Sequence, residues 1–424
     1  MTKTRLIRPV TGPVDAIVSV PGSKSIANRA LVCASLAEGP SELTNVPDGD
    51  DTVAMLDCLR QLGLDTELDG ARVSVTGVGT DWIAGPHTLH AGLAGTTSRF
   101  VTALAALASD RITVDGHPPL RSRPFGPLHE ALVQLGVAVM PGQSFGNLPA
   151  TIHGPPTTGR ATIRGDVSSQ YVTALMLIGP YLPGGLHLQL TTELISRPYV
   201  ELTTAVMGWF GCGQIDVGEH LITVAPGEYA PSDVAIEPDA SSASYPLAIA
   251  AVAGGVVQVD GLGTSALQGD ARFADHLAAM GCDLERDEHM VRIHRSGPLS
   301  GIDIDMADVS DLVPTMAVVA ALADSPSRIR GVGFIRGKES DRLGDLANEL
   351  RTAGVDISET DDGLDIRPSS ALLRPARLAT HHDHRLAMAF AVLGSATPGI
   401  EVEDPDVVSK SWPDFWNMLD ESFA

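Results

Sequence analysis

Residues 25–39 read SIANRALVCASLAEG, and residues 97–110 read TSRFVTALAALASD. Each opens on a small polar residue, runs through Ala, Leu and Val, and closes on a turn; they start 72 residues apart. The pattern recurs as SQYVTALMLIGPYLPGG from Ser169, SASYPLAIAAVAGG from Ser242, DLVPTMAVVAALADS from Asp311 and DHRLAMAFAVLGSATPG from Asp383, at further spacings of 72, 73, 69 and 72. These stretches are apolar almost all round, which predicts helices buried inside a module cluster. A second series of helices runs in phase, from Asp51, Arg123, Arg197, Asp270, Glu339 and Ser411; five of the six close on Gly, as a C-cap would. Between them, alternating Val/Ile/Thr-rich runs such as RVSVTGV (72–78), RITVDG (111–116), GLHLQLT (185–191), LITVAPG (221–227), VVQVDG (256–261) and MVRIH (290–294) predict strands. Six modules, each of two helices and about four strands, account for the chain. Their period of about 70 residues is too long for a TPR or ankyrin solenoid.

The 424 residues are 44% hydrophobic, enough for a large core and against disorder. The length suggests two or three domains. The formal net charge is −23, from 29 Lys+Arg against 52 Asp+Glu, which argues against a nucleic-acid partner. It leaves room for a local basic pocket that takes small anions. Cys33, Cys58, Cys212 and Cys282 form no C-x-x-C pair; each is read as a buried thiol in an apolar helical stretch. The N-terminus MTKTRLIRPVTGP lacks the apolar core of a signal peptide. No apolar run approaches the roughly 18–20 residues that span a bilayer. A soluble, cytoplasmic, reduced protein without membrane contact is expected.

Only four residues are lysine: Lys3, Lys24, Lys338 and Lys410. Three of them fall at expected helix starts, Lys24 in PGSKSIANRA, Lys338 in RGKESDRLG and Lys410 in VSKSWPDFW. Arg29, Arg123, Arg342 and Arg385 join them. Helix N-termini attract anions, but each dipole contributes only about 0.3–1 kcal/mol at an exposed end, so tight binding needs such cations. Two acids stand among them. Glu339, between Lys338 and Arg342, is either a first-turn acid complementing the dipole or a proton-transfer group; Asp311 is either the N-cap of an apolar helix or a second such group.

Other motifs carry less. In GSKS (22–25) Ser23 interrupts the G-K-[ST] of a phosphate-binding P-loop. Gly261-Leu262-Gly263 begins a relaxed dinucleotide motif with no downstream acid. His381, His382, Asp383 and His384 are adjacent rather than spaced to face one ion, so no metal is expected.

At the cationic helix starts the chain resembles the 5-enolpyruvylshikimate-3-phosphate synthases, of the enolpyruvyl transferase family. The resemblance runs end to end through PGSKSIANRAL (21–31), LAGTTSRF (93–100), RSRPFGPL (121–128), GDVSSQYVTALML (165–177), ISRPYVE (195–201), DASSASY (239–245), LQGD (267–270), SDLVPTMA (310–317), KESDRL (338–343), DHRLAMA (383–389) and KSWPDF (410–415). It implies an α/β fold of two domains, an inside-out barrel-like arrangement of six βαβαββ repeats, three per domain, with the active site in the interdomain cleft. The cleft would close on substrates. One domain would span 21–235; the other would be discontinuous, 1–20 and 236–424.

The implied reaction transfers the enolpyruvyl group of phosphoenolpyruvate to the 5-hydroxyl of shikimate 3-phosphate by addition and elimination of phosphate, without cofactor or metal, in a monomer. The two substrates bring roughly six negative charges, against the seven cations named. The resemblance assigns Lys24, Ser25, Arg29, Ser168, Ser169, Gln170, Ser196, Asp311 and Lys338 to shikimate 3-phosphate. It assigns Lys24, Gly95, Arg123, Gln170, Arg342, Arg385 and Lys410 to phosphoenolpyruvate. Asp311 would take the 5-hydroxyl proton, Glu339 would handle protons at the methylene, and Lys24 and Lys410 would stabilise developing charge. Leu93, Phe100 and Phe334 depart from the pattern of enteric members, which puts glyphosate sensitivity in doubt. The alternative is the enolpyruvyl transferase acting on UDP-N-acetylglucosamine; it usually carries a loop cysteine, which the region RITVDGHPPLRSRPFG (111–126) lacks. A non-catalytic anion-binding protein that kept the fold would be expected to have lost some of these charged residues.

Overall fold

The periodic helices do what their apolar sequence requires: they go inside. In a computed structural model, which describes residues 3–81, 86–368 and 373–423, the repeated helices are α1 (Lys24–Leu36), α2 (Gly95–Ala105), α3 (Ser169–Ile178), α4 (Ala240–Ala253), α5 (Val313–Ala321) and α6 (His384–Ala396). Every residue from Ile26 to Leu36 of α1 and from His384 to Ser395 of α6 is buried. Each fully buried Leu, Ile, Val or Phe contributes about 1.5–3 kcal/mol, and such residues alternate with small alanines that let these helices pack closely. The second helices are amphipathic instead; Gly344–Thr352 buries only Gly344, Leu346, Ala347 and Leu350. Five of them end in the expected glycine, Gly63, Gly136, Gly211, Gly281 and Gly354, at φ of 87°, 89°, 86°, 104° and 94°, the left-handed conformation that closes a helix.

Among the described residues six small sheets accompany the helices, five of four strands and one of three. In the second module, His87–His90 runs parallel to Arg111–Asp115 across α2; the hairpin Ala138–Pro141/Ala150–His153 then adds antiparallel on the other side of Arg111–Asp115. This is βαβαββ, with the fourth strand next to the second. All six strand runs predicted from sequence lie in these sheets. Among the described residues each sheet is open and none closes into a barrel.

The chain divides into two compact units. One is continuous, Gly22–Ile236; the other is split, Met1–Pro21 with Glu237–Ala424. Each has its own apolar core. The split follows from strand pairing. The first module takes its parallel edge strand, Val234–Ala235, from the end of the continuous unit, beside Gly39–Thr44. The fourth module takes Val14–Val18, from before the first crossing, beside Gly255–Asp260. Each unit therefore closes on a strand distant in sequence.

The sixth module departs from the four-strand expectation. After Ile400–Glu403 the described residues form the turn Pro405–Lys410 and the helix Phe415–Phe423, with no hairpin among them. Thr4–Leu6 pairs antiparallel with Ile400–Glu403 instead and covers an edge that would otherwise be open. No helix among the described residues is long and apolar enough to cross a membrane. The cysteine expectation needs one correction. Cys33 and Cys58 lie in helices, but Cys212 and Cys282 lie just past helix ends, and Cys212 is only half-buried. Burial pushes the Cys212 and Cys282 thiols up to about 11.

Candidate active site

In the split unit, three segments far apart in sequence deliver opposite charges to one place. Asp311 lies in the 3-10 turn Ala307–Leu312, one turn before α5. It is not the N-cap of that helix; its oxygens go to side chains. Oδ1 accepts from Arg342 Nη1 at 2.8 Å and lies 3.8 Å from Lys338 Nζ, and Oδ2 accepts from Arg385 Nη2 at 2.7 Å. Arg342 also donates through Nη2 to Glu339 Oε2 at 2.8 Å and through Nε to Asp383 Oδ2 at 2.7 Å. Arg342 is 1% exposed and Asp383 0%. Asp383 in turn caps α6 by accepting from the Arg385 N–H at 2.9 Å, and takes Ser340 Oγ at 3.2 Å. Asp383 thus sets both arginines, one by its side chain and one by its helix.

A buried charge without a partner would be costly, and here each strengthens the next. Burial alone would raise the Asp311 carboxyl, yet Arg385, Lys338 and Arg342 together hold it well below the usual carboxylate range. Burial would weaken the charge of Arg342, but Asp383, Glu339 and Asp311 more than offset it. Arg385 and Lys410 are buried as well, at 7% and 8% exposure.

Two expected helix starts are corrected. Lys338, Glu339 and Arg342 precede the helix, which begins at Gly344. Asp341 is the reason: its Oδ1 accepts from the N–H of Leu343 and Gly344 at 3.2 and 3.0 Å, while its own N–H donates to Asp345 at 3.0 Å, a reciprocal cap. Glu339 is left outside the helix, bound to Arg342. Lys410 closes the 3-10 turn Pro405–Lys410, ahead of the helix that starts at Phe415. The histidines beside Asp383 diverge: His381 Nε2 meets Glu349 at 2.8 Å and His382 Nδ1 meets Asp404 at 3.2 Å. Among the described residues no group of His, Cys, Asp or Glu has the arrangement of a metal site.

The continuous unit carries the second set. Lys24 is the first residue of α1, after the cap Ser23, and its Nζ pairs with Asp51 Oδ2 at 2.8 Å. Asp51 is 2% exposed and its backbone oxygen accepts from Thr97. Arg29 is 2% exposed, and its guanidinium is engaged within the protein: Nε with Thr203 at 2.9 Å, Nη1 with the Ser25 carbonyl at 2.7 Å, Nη2 with the Tyr199 carbonyl at 3.1 Å. It lies over the Phe100 ring at 5.5 Å. Phe100 is therefore part of the core beneath Arg29, whereas Leu93 is exposed.

Gly95 opens α2 under the Arg123 guanidinium; a Cβ there would stand 2.5 Å from Arg123 Nη1. Arg123 itself lies in the turn before the helix Gly126–Gln134, not on it. Ser168 caps α3 by accepting from Gln170 N–H, Ser169 begins that helix, and Gln170 Nε2 donates to Thr96 at 3.1 Å. Ser196 holds φ 53° and ψ 42° at the start of the helix Arg197–Trp209 and is 4% exposed. A left-handed serine costs about 1–2 kcal/mol, and such strain concentrates at functional positions.

Asp51 and Asp383 were not among the expected site residues. Both start helices, where an acid reads as a cap, and only the fold shows that Lys24 and Arg342 are their partners.

The family model EPSP synthase (3-phosphoshikimate 1-carboxyvinyltransferase) matches residues 10–419. A 3-phosphoshikimate 1-carboxyvinyltransferase of Trichormus variabilis is 40% identical over 411 residues, 96% of each chain. One of Shewanella denitrificans is 41% identical over 412 residues, 95% of each chain. A solved structure of EPSP synthase from Acinetobacter baumannii, 24% identical, covers 100% of this chain and 98% of that one with a TM-score of 0.85, a likeness of fold.

Proposed function

The chain belongs to the EPSP synthase (3-phosphoshikimate 1-carboxyvinyltransferase) family, and on that premise we propose that it transfers the enolpyruvyl group of phosphoenolpyruvate to the 5-hydroxyl of shikimate 3-phosphate, releasing phosphate, in the shikimate pathway. The observation that carries the reading is the buried network in which Asp311 is held by Arg342, Arg385 and Lys338 with Glu339 alongside. It is an anion site with two proton carriers inside it.

The chemistry follows from competition for those cations. With all three in place Asp311 is a poor base. Substrate carboxylate and phosphate groups are ligands for the same guanidinium and ammonium groups. Each cation they draw away raises the proton affinity of Asp311 toward that of a useful base. Asp311 then takes the 5-hydroxyl proton as the oxygen adds to C2 of phosphoenolpyruvate, and Glu339 delivers a proton to C3. In the reverse sense Glu339 removes a proton from the new methyl group while phosphate leaves. Lys24 and Lys410 stabilise its developing charge, with Arg123, Arg342 and Arg385 on phosphoenolpyruvate. Lys338, Ser25, Arg29, Ser168, Ser169, Gln170 and Ser196 hold shikimate 3-phosphate, and Gly95 leaves the room Arg123 needs.

The test is phosphate release from the two substrates. Wild type should turn over with shikimate 3-phosphate, and Asp311→Ala or Glu339→Ala should lose about 10²–10⁴-fold while remaining folded. Release with UDP-N-acetylglucosamine and none with shikimate 3-phosphate would overturn the reading.

A further inference from the structure

Behind Asp311 lies an acid that no step above uses. Asp270, in the 3-10 turn Gly269–Arg272, is 3% exposed. Ser241 in the first turn of α4 donates its Oγ–H to Asp270 Oδ2. The neighbouring Gln268 fixes the same stretch to that helix: its Oε1 accepts from the Ala240 N–H at 3.1 Å and its Nε2 donates to the Pro238 carbonyl at 2.6 Å. The turn Gly269–Arg272 packs on the turn Ala307–Leu312 that carries Asp311. Arg272 Nη1 and Asp308 Oδ2 face each other across these turns at 4.0 Å.

We propose that Asp270 is a positioning residue for the reaction assigned above, acting through Arg385 and Asp311 rather than on substrate: its buried negative charge shares Arg385 with Asp311 and so keeps Asp311 usable as a base. The proposal rests on that assigned activity. Asp270 sits on the turn packed against that of Asp311; the charges that act on it are those of Asp311 on that turn, Arg385 on α6 and Asp239 at the cap of α4, and Arg272 of its own turn meets Asp308. Burial and the Asp311 charge raise the Asp270 carboxyl; the Ser241 hydrogen bond and Arg385 oppose them, and it comes to about 6. Three cations hold Asp311 too firmly ionised for a good base. A second negative charge behind Arg385 moderates that grip, because a like charge disfavours the ionised form of its neighbour. Near neutral pH Asp270 supplies that charge; below about 6 it does not.

The experiment measures kcat against pH for the full-length chain, with thermal midpoints as a check on folding. Wild-type kcat should rise through an acid limb near pH 6. Asp270→Asn keeps an acceptor for Ser241 but removes the charge. It should abolish this limb and lower kcat at neutral pH by about tenfold, with KM values nearly unchanged. Ser241→Ala removes a donor that favours the charged form, so it should move the limb to higher pH. This variant decides the matter if Asp270→Asn does not fold. Retention of the limb in Asp270→Asn, an unmoved limb in Ser241→Ala, or a lower thermal midpoint with an unaltered profile overturns the proposal. A wild type without turnover overturns the assigned activity and the proposal together; an active wild type with an unaltered Asp270→Asn overturns the proposal alone.

Discussion

Gly95 is a position where the smallest change meets the most resistance. A Cβ would be 2.5 Å from Arg123 Nη1 and 2.8 Å from Arg99 Nη1. Arg99 cannot withdraw easily: Nη1 donates to the Gly95 carbonyl at 2.8 Å, and its guanidinium rests over Phe125 at 4.9 Å and Tyr171 at 5.4 Å. Arg123 must move instead. Gly95→Ala should raise KM for phosphoenolpyruvate by about ten- to a hundredfold while leaving KM for shikimate 3-phosphate and the thermal midpoint nearly unchanged. Steady-state kinetics with each substrate varied in turn check this, and an unaltered phosphoenolpyruvate KM would remove Arg123 from that substrate's site. Residue types and motifs named Gly95 and Arg123 separately. Their contact was not legible, because it joins a helix start to a turn in the following segment. The same holds for Asp383 and Arg342, 41 residues apart and bonded at 2.7 Å. An acid before an apolar helix reads as a cap, and Asp383 is one; the arginine it also holds is visible only in space.

Elements were legible where period decides and illegible where caps compete. The apolar repeat placed all six inner helices, since burial all round leaves no alternative. Their starts lie within two residues of those expected, whereas those of the second helices differ by up to five, because any Ser, Thr, Asp or Glu near the boundary could satisfy the first N–H groups. In KESDRLGDL the winner is Asp341, which fixes the helix start at Gly344 and shapes the segment 338–343 that presents Lys338, Glu339 and Arg342. Its ion pair with Arg336 is partly exposed and worth little. Asp341→Ala should therefore cost about 1 kcal/mol of stability, the usual loss of a cap. It should also lower turnover by more than that loss explains, since the segment it braces carries three site residues. Urea denaturation alongside kcat separates the two effects; a stability loss with unchanged kcat would show that the network of Arg342 alone holds the segment.

At the scale of the molecule, the sixfold order was readable from spacing but the double crossing was not. Strand partners follow from pairing between distant segments, and nothing local in VDAIV (14–18) says that it completes a sheet with Gly255–Asp260. The net charge is silent on the site in a related way: a formal −23 belongs to the whole chain, while Arg342, Arg385 and Lys338 gather around one buried acid cluster. The pairing of strands so distant in sequence makes a prediction. Removing residues 1–20 takes Thr4–Leu6 from the sixth sheet and Val14–Val18 from the fourth, both in the split unit, and takes no strand from the continuous one. Each loss exposes a row of unpaired backbone groups along a strand that was internal to its sheet. The truncated chain should lose amide protection by hydrogen–deuterium exchange first at Gly255–Asp260 and Ile400–Glu403, then through the split unit. Gly39–Thr44 and Arg111–Asp115, whose partners all lie within the continuous unit, should keep theirs. Equal loss of protection in both sets would show that the two cores fold as one cooperative body; protection retained at Gly255–Asp260 would show that its edge strand is dispensable.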